Sequence, residues 1–153
     1  MSFDAGDTSG YAFTDFGGAG SLLFATPPAG GSGKAAQVVK GVGAETWAGT
    51  TFLTLGSSEM ITNANKTMTM RVWSPDAGTV VRLKLEDSAN PTHSVETDAT
   101  TTVAGGWQTL SFNFANQAAS TAAFNDAFNF NKASVFFAFG SGGSGKTGWT
   151  STS

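Results

Sequence analysis

The sequence predicts an all-β fold, a jelly-roll sandwich of two antiparallel sheets. Short stretches in which apolar and polar residues alternate recur along the chain, as expected for strands that bury one face. Roughly eight to ten such stretches lie about 8–12 residues apart, separated by turn-forming residues. Helical periodicity is almost missing. An immunoglobulin-like sandwich is the second choice, but the number of strands and the length of the chain favour the jelly roll.

The N-terminal third contains five candidate strands separated by Gly and Pro. The clearest break is the loop Thr26–Gly33, where Pro27 and Pro28 precede a glycine-rich run. A glycine-containing turn also follows Lys40. The strands are predicted near Phe3 and at Tyr11–Phe16, Ser21–Thr26, Lys34–Lys40 and Thr46–Leu55.

The stretch Lys66–Glu96 carries the strongest alternation and is predicted to form a hairpin. Its strands are Thr67–Trp73 and Val80–Glu86, joined by the turn Ser74–Thr79, which contains Pro, Asp and Gly. Alternate side chains of a strand point to opposite faces, so one face of the hairpin is apolar. That buried face consists of Met68, Met70, Val72, Val81, Leu83 and Leu85. The other face carries Thr69, Arg71, Trp73, Arg82, Lys84 and Glu86.

Three further strands are predicted after a turn that contains Pro91. They lie at His93–Thr102, Trp107–Phe114 and Ala133–Phe139, and the last is rich in phenylalanine. Ala115–Lys132 is the longest interruption, and its alanine-rich part is compatible with a helical turn or two.

Composition limits the classes of partner and of chemistry. With 153 residues, we expect one β-sandwich domain over residues 1–153, as a module or repeat of a larger protein. A net charge of −3 and 12% charged residues provide no basic surface for nucleic acid. No apolar run approaches the ~20 residues that span a bilayer, so membrane insertion is not expected. Low charge and many small polar residues favour an extracellular or surface-displayed location.

Seven segments resemble those of a known family over nearly the whole chain. They are Phe3-Asp4, Lys34–Lys40, Thr46–Thr50, Met70–Pro75, Val81–Glu86, Pro91–Thr97 and Trp107–Phe114. The chain resembles the carbohydrate-binding-module-like jelly-roll domains appended to bacterial, often marine, polysaccharide-degrading enzymes such as laminarinases. Similar domains recur in surface proteins and phage structural proteins. The resemblance implies a polysaccharide as partner and a non-catalytic role.

The resemblance also bears on a structural calcium ion. In the wider jelly-roll group, acidic residues near the N-terminus and in the last strand hold such an ion. Asp4 and Asp7 match the N-terminal share and are the candidate metal ligands. The last segment, Lys146–Ser153, has no carboxylate, so the sequence matches only half of that site. No other cofactor is expected.

Catalysis is not expected from the residues present. The chain has no cysteine and one histidine, His93, which excludes thiolate nucleophiles, Cys-based zinc sites and His-based metal clusters. A glycosidase needs two carboxyl groups across a cleft, ~5–9.5 Å apart. Glu86 and Glu96 lie on strands that are near neighbours, but nothing in the sequence gives them opposed environments.

Carbohydrate binding needs an exposed flat aromatic ring and planar hydrogen-bonding groups, because sugars have apolar C–H faces and a rim of hydroxyls. Trp47 and Trp107 are interpreted as core or edge-packing residues. The candidate ligand-binding residues are Trp73, Arg71, Arg82, Lys84 and Glu86. Ordinary cross-strand charge pairing remains the alternative reading of the four charged residues.

The predicted function is therefore a carbohydrate-binding module that attaches its parent protein or particle to a polysaccharide. The alternative is a structural or assembly subunit of an extracellular fibre, a surface layer or a virion decoration. Exposed strand edges and low charge would suit such a homo-oligomer equally well.

Overall fold

The computed structural model describes residues 11–31, 33–142 and 146–151, and all regular structure in this part of the chain is β-strand. The strands are β1 (Tyr11–Phe16), β2 (Ala19–Ala25), β3 (Ala35–Lys40), β4 (Gly49–Thr54), β5 (Thr67–Ser74), β6 (Val80–Asp87), β7 (Asn90–Thr100), β8 (Gly106–Asn113), β9 (Lys132–Phe137) and β10 (Lys146–Ser151). Nine of these strands lie within a few residues of the predicted bounds, whereas β10 was not predicted and the strand predicted near Phe3 lies outside the described residues.

The strands form two five-stranded sheets. The front sheet has the order β1-β4-β9-β6-β7, and the back sheet has the order β2-β3-β10-β5-β8. Each neighbouring pair is antiparallel. The prediction of an all-β sandwich of two antiparallel sheets is confirmed.

The prediction of a β5–β6 hairpin is wrong. Strand β5 lies in the back sheet between β10 and β8, whereas β6 lies in the front sheet between β9 and β7. The segment between them is an arch that crosses from one sheet to the other at the edge of the core. Its backbone is fixed by Thr101: the Gly78 amide donates to the Thr101 carbonyl at 2.7 Å, and the Thr79 amide donates to the Thr101 hydroxyl at 3.0 Å.

The apolar faces of both strands are nevertheless buried as predicted. Met70 and Val72 from β5 belong to the same hydrophobic core as Val81, Leu83 and Leu85 from β6. The core therefore lies between the sheets, and the alternation predicted which side chains enter it. Alternation indicates that a strand has one buried face; it does not indicate which sheet contains that strand.

Residues 115–131 form turns and irregular structure in place of the expected helical turns. Phe130 is fully buried in this segment and fixes it against the sandwich. Among residues 11–31, 33–142 and 146–151 there is no helix, so none there is long and apolar enough to cross a membrane.

Candidate functional site

The five predicted ligand-binding residues lie on two opposite faces of the molecule. Arg71 and Trp73 occupy outward positions of β5 in the back sheet, since Met70 and Val72 point into the core. The other three occupy outward positions of β6 in the front sheet. The prediction that all five share one surface is wrong because it rested on the β5–β6 hairpin. The three on the front sheet are Arg82, Lys84 and Glu86.

Protein contacts engage Arg71 on the back face. Its Nη2 donates to the Gly30 carbonyl at 3.0 Å, and its guanidinium carbon lies 5.1 Å from the centroid of the Trp107 ring. The Trp107 indole N–H in turn donates to the Pro28 carbonyl at 3.5 Å. The loop between β2 and β3 thus lies against Trp107, the cross-strand neighbour of Trp73.

Arg82 is also engaged by protein groups. Its Nε and Nη2 donate to both oxygens of Asp98 at 2.7 and 2.8 Å, and Nη1 donates to Glu96 at 3.2 Å. The guanidinium lies 3.6 Å from the Phe139 ring centroid, and the residue is only 9% exposed. The hydrogen bond with Asp98 is the main cause that raises the pKa of Arg82 above its ordinary value. Its geometry is that of a structural ion pair on β6 and β7.

The other two front-face residues, Lys84 and Glu86, line a surface trough of ≈ 420 Å³. The trough crosses β1, β4, β9 and β6, and it also includes the turn that precedes β4. Its lining is ordered along the strand direction: aromatic rings at one end, hydroxyl groups in the middle and charged groups at the other end. The lining residues are Thr14, Phe16, Trp47, Thr51, Lys84, Glu86, Lys132, Ser134 and Phe136.

Gly49 allows the aromatic end to form. A Cβ atom at this position would lie 2.7 Å from the Val135 carbonyl oxygen, 2.9 Å from Phe136 and 3.0 Å from Phe16. Because Gly49 has no Cβ atom, the rings of Phe16 and Phe136 can approach edge to face, with centroids 5.4 Å apart. Two apolar rings therefore line the trough where a side chain on β4 would otherwise stand.

Trp47 extends the aromatic end toward solvent. Its ring is stacked on Phe16, with centroids 6.4 Å apart and an interplanar angle of 15°, and the residue is 49% exposed. Gly17, with φ of 65°, lies beneath it: a Cβ there would be 3.0 Å from the indole. The surrounding turn is tied down by a hydrogen bond from the Glu45 amide to the Gly17 carbonyl at 2.8 Å. An exposed, fixed indole is the feature that stacking on a sugar requires.

Sequence reasoning missed Trp47 as a site residue. The prediction placed it inside a strand at Thr46–Leu55, where a tryptophan is most simply a packing residue. The strand begins at Gly49, so Trp47 lies in the preceding turn and is free of the sheet. The small residues Ala48 and Gly49, which interrupt the alternation after Trp47, were the available signal.

Hydroxyl groups line the middle of the trough in one cross-strand row. Thr14 on β1 pairs with Thr51 on β4, and Thr51 pairs with Ser134 on β9. The hydroxyls of Thr51 and Ser134 lie 2.8 Å apart. Ser134 in turn pairs with Lys84 on β6. Adjacent hydroxyls on a sheet face can both donate to and accept from a polyhydroxylated ligand.

The charged end consists of one carboxylate held by two ammonium groups. Lys84 Nζ lies 2.9 Å from Glu86 Oε1, and Lys132 Nζ lies 3.3 Å from Glu86 Oε2. Glu86 is buried, whereas both lysines are partly exposed. The strand register explains the arrangement, because Glu86 pairs with Lys132 across β6 and β9.

The candidate calcium ligands Asp4 and Asp7 lie outside the described residues. Within the described parts of the chain, no group of three or more His, Cys, Asp or Glu side chains could hold a metal ion.

Comparison with known proteins finds solved structures with a similar fold. No family model and no curated protein matches the sequence. Among solved structures, the match to TmCBM61 in complex with β-1,4-galactotriose has a TM-score of 0.52 and 13% sequence identity, and it covers 98% of this chain and 90% of that one.

The agarase AgWH50C matches with a TM-score of 0.59 and 10% identity. That match covers 99% of this chain but 24% of the agarase, so this chain spans about a quarter of that enzyme's length. These similarities confirm the predicted jelly-roll fold and its resemblance to carbohydrate-binding modules. At such low identities they bear on the fold alone.

Proposed function

We propose that this protein is a non-catalytic carbohydrate-binding module whose ligand binds in the front-face trough. The observation that carries the proposal is the arrangement of the trough: a fixed, half-exposed Trp47, a row of hydroxyl groups and a Lys-Glu-Lys cluster along one open sheet face. Such a surface offers an apolar platform for a sugar ring and polar groups that orient its hydroxyls. The fold shared with carbohydrate-binding modules supports the same conclusion.

Each part of the trough has a distinct role in this proposal. Trp47 and Phe16 stack against the apolar face of one sugar. Thr51 and Ser134 hydrogen-bond with hydroxyls of the chain that lies over β4 and β9. Two residues separate successive rows along a strand, roughly 6.6–6.8 Å, so the aromatic, hydroxyl and charged rows extend over about 13 Å. The site therefore suits a stretch of polysaccharide in preference to a single free sugar.

The module would keep its parent protein or particle on a polysaccharide outside the cell or at its surface. Binding of this kind raises the effective concentration of whatever is attached to the module. Of the five residues predicted from sequence, Lys84 and Glu86 belong to the proposed site. Arg71 and Trp73, on the back face, then serve as matched controls.

Affinity electrophoresis against β-1,4-galactan, agar, alginate, laminarin and xylan tests this proposal. We expect retardation by at least one glycan, and Trp47→Ala should weaken that binding about tenfold or more, because it removes the exposed aromatic anchor. Trp73→Ala, which removes the same side chain from the opposite face, should leave retardation unchanged. Thermal unfolding of both variants checks that each is folded.

Two results would contradict the proposal. Retardation lost in Trp73→Ala and kept in Trp47→Ala would move the site to the back face. Retardation by none of the glycans, together with a ring or polymer in light scattering, would favour the assembly subunit.

A further inference from the structure

The charges at the end of the trough do not cancel. Lys84 and Lys132 share a single carboxylate, that of Glu86, so this cluster carries one positive charge in excess. Glu86 is almost buried beneath the two ammonium groups, which remain partly exposed to solvent. The carboxylate therefore holds both ammonium groups in place, with the cations on the outside of the cluster.

A compensating negative charge lies outside the trough. Arg82 is shared by two carboxylates, Glu96 and Asp98, so that cluster carries one negative charge in excess. These two acids lie on β7, the edge strand next to β6, and neither of them lines the trough. The front face is therefore divided: the cationic cluster lines the trough, and the anionic cluster lies beside it on β6 and β7, where Glu96 is the cross-strand neighbour of Lys84.

We propose, building on the proposed function, that the ligand is an anionic polysaccharide, one that bears carboxylate or sulfate groups. A lysine ammonium has three donors, and its contact with Glu86 uses one of them, so Lys84 and Lys132 have further donors for a ligand anion. Such charge-assisted hydrogen bonds are stronger than neutral ones. A polysaccharide with one sugar stacked on Trp47 would place an acidic group of a sugar further along its chain at the charged end.

The attraction is local, because the chain as a whole has a net charge of −3. It should therefore depend strongly on ionic strength. The Debye length falls from about 8 Å at physiological salt to about 3 Å at 1 M, and partly exposed ammonium groups are screened accordingly. A sugar stacked on an indole does not depend on salt in this way.

Matched pairs of glycans test the proposal by titration calorimetry. Polygalacturonate is compared with its fully methyl-esterified form, and a carrageenan with its desulfated form, each at about 0.05 and about 0.5 M NaCl. We expect at least one charged form to bind about tenfold or more tightly than its neutral partner, with the difference reduced at high salt. Whether the carboxylated or the sulfated glycan shows the difference identifies the anion.

Two lysine variants locate the effect. Lys132→Met should lose about tenfold in affinity for the charged glycan and little for its neutral partner. Lys66→Met makes the same change in net charge away from the trough, where Lys66 Nζ lies 5.1 Å from the Phe124 ring centroid, and should bind as the unmodified protein does.

Several results would overturn the inference. Equal, Trp47-dependent affinity for charged and neutral forms would exclude anion recognition and leave the proposed function standing. Equal losses in Lys132→Met and Lys66→Met would show that net charge, not the trough, attracts the glycan. Binding to no charged or neutral glycan would overturn both proposals.

Discussion

Lys40 is almost fully buried, with 1% of its surface exposed. Its ammonium donates to the Thr46 carbonyl at 2.7 Å and to the Ala138 carbonyl at 2.9 Å. These contacts join the end of β3 to the turn that carries Trp47 and to the end of β9. Burial lowers the pKa of Lys40, because a desolvated ammonium is less stable than a hydrated one.

This burial predicts a rise in stability at high pH. The folded state releases the Lys40 proton at a lower pH than the unfolded state does, whose lysines titrate near about 10.4. Between those two pKa values the unfolded state binds more protons, so the free energy of unfolding increases with pH. In Lys40→Met this contribution should be missing. Urea unfolding of both proteins from about pH 7 to pH 10.4 gives the difference between their free energies of unfolding. The other titrating groups contribute equally to both proteins, so the change of this difference with pH reports on Lys40.

The same variant should still fold. Both carbonyls keep a second donor, since the Gly140 amide bonds to Thr46 at 3.0 Å and the Ser141 amide bonds to Ala138 at 3.2 Å. A stability difference between the two proteins that stays constant over this pH range would contradict the assignment of a lowered pKa to Lys40.

For single residues, the alternation in the sequence correctly predicted which side chains point outward, but it did not predict which side chains surround them. Lys84 and Glu86 point outward as the period of two requires, and both lie at the candidate site. Arg82 has the same orientation, yet Asp98 and Glu96 occupy its guanidinium. These partners come from β7, and a single strand's pattern carries no information about the side chains on its neighbour.

Among the elements, β4 controls the aromatic end of the trough through its first residue. Gly49 lies between β1 and β9, and its missing side chain is what lets Phe16 meet Phe136 across the strand. The close contact is partly with backbone, the Val135 carbonyl oxygen, which cannot move away as a flexible side chain can.

We therefore expect Gly49→Ala to lower the free energy of unfolding by about 1–3 kcal/mol, the usual cost of overpacking. It should also weaken glycan binding, since the displaced ring of Phe16 supports the stacked Trp47. Gly56→Ala is the matched control, because a Cβ at that position would meet nothing within 4 Å. Chemical denaturation and affinity electrophoresis check the two effects, and equal stabilities of both variants would refute this account of β4.

The strands β5 and β6 were predicted correctly, but the connection between them was not. Their bounds were predicted to within one residue, and their apolar faces enter the core. A five-residue connection with Pro, Asp and Gly suits a hairpin and an arch alike. The deciding contacts are the hydrogen bonds of the arch to Thr101, which lies more than twenty residues further along the chain.

The whole molecule presents two unlike faces. The back face places Trp73 beside Trp107, and the β2–β3 loop lies against this pair through Gly30 and Pro28. The front face has an open trough with an aromatic end, hydroxyl groups in the middle and a charged end. The predicted fold class was right. The predicted site is divided between two faces because the connection between β5 and β6 crosses from one sheet to the other. The front face, which carries the open trough, is the one proposed to bind.

The indole signals of the four tryptophans test the central claim most directly. Each indole N–H gives one signal in a ¹H–¹⁵N NMR spectrum, assigned by single Trp→Phe substitutions, and the spectrum is followed as an oligosaccharide of the retarding glycan is added. We expect the Trp47 signal to shift progressively while the Trp73 and Trp107 signals stay in place. Shifts confined to Trp73 and Trp107, with Trp47 unchanged, would contradict a binding site in the front-face trough.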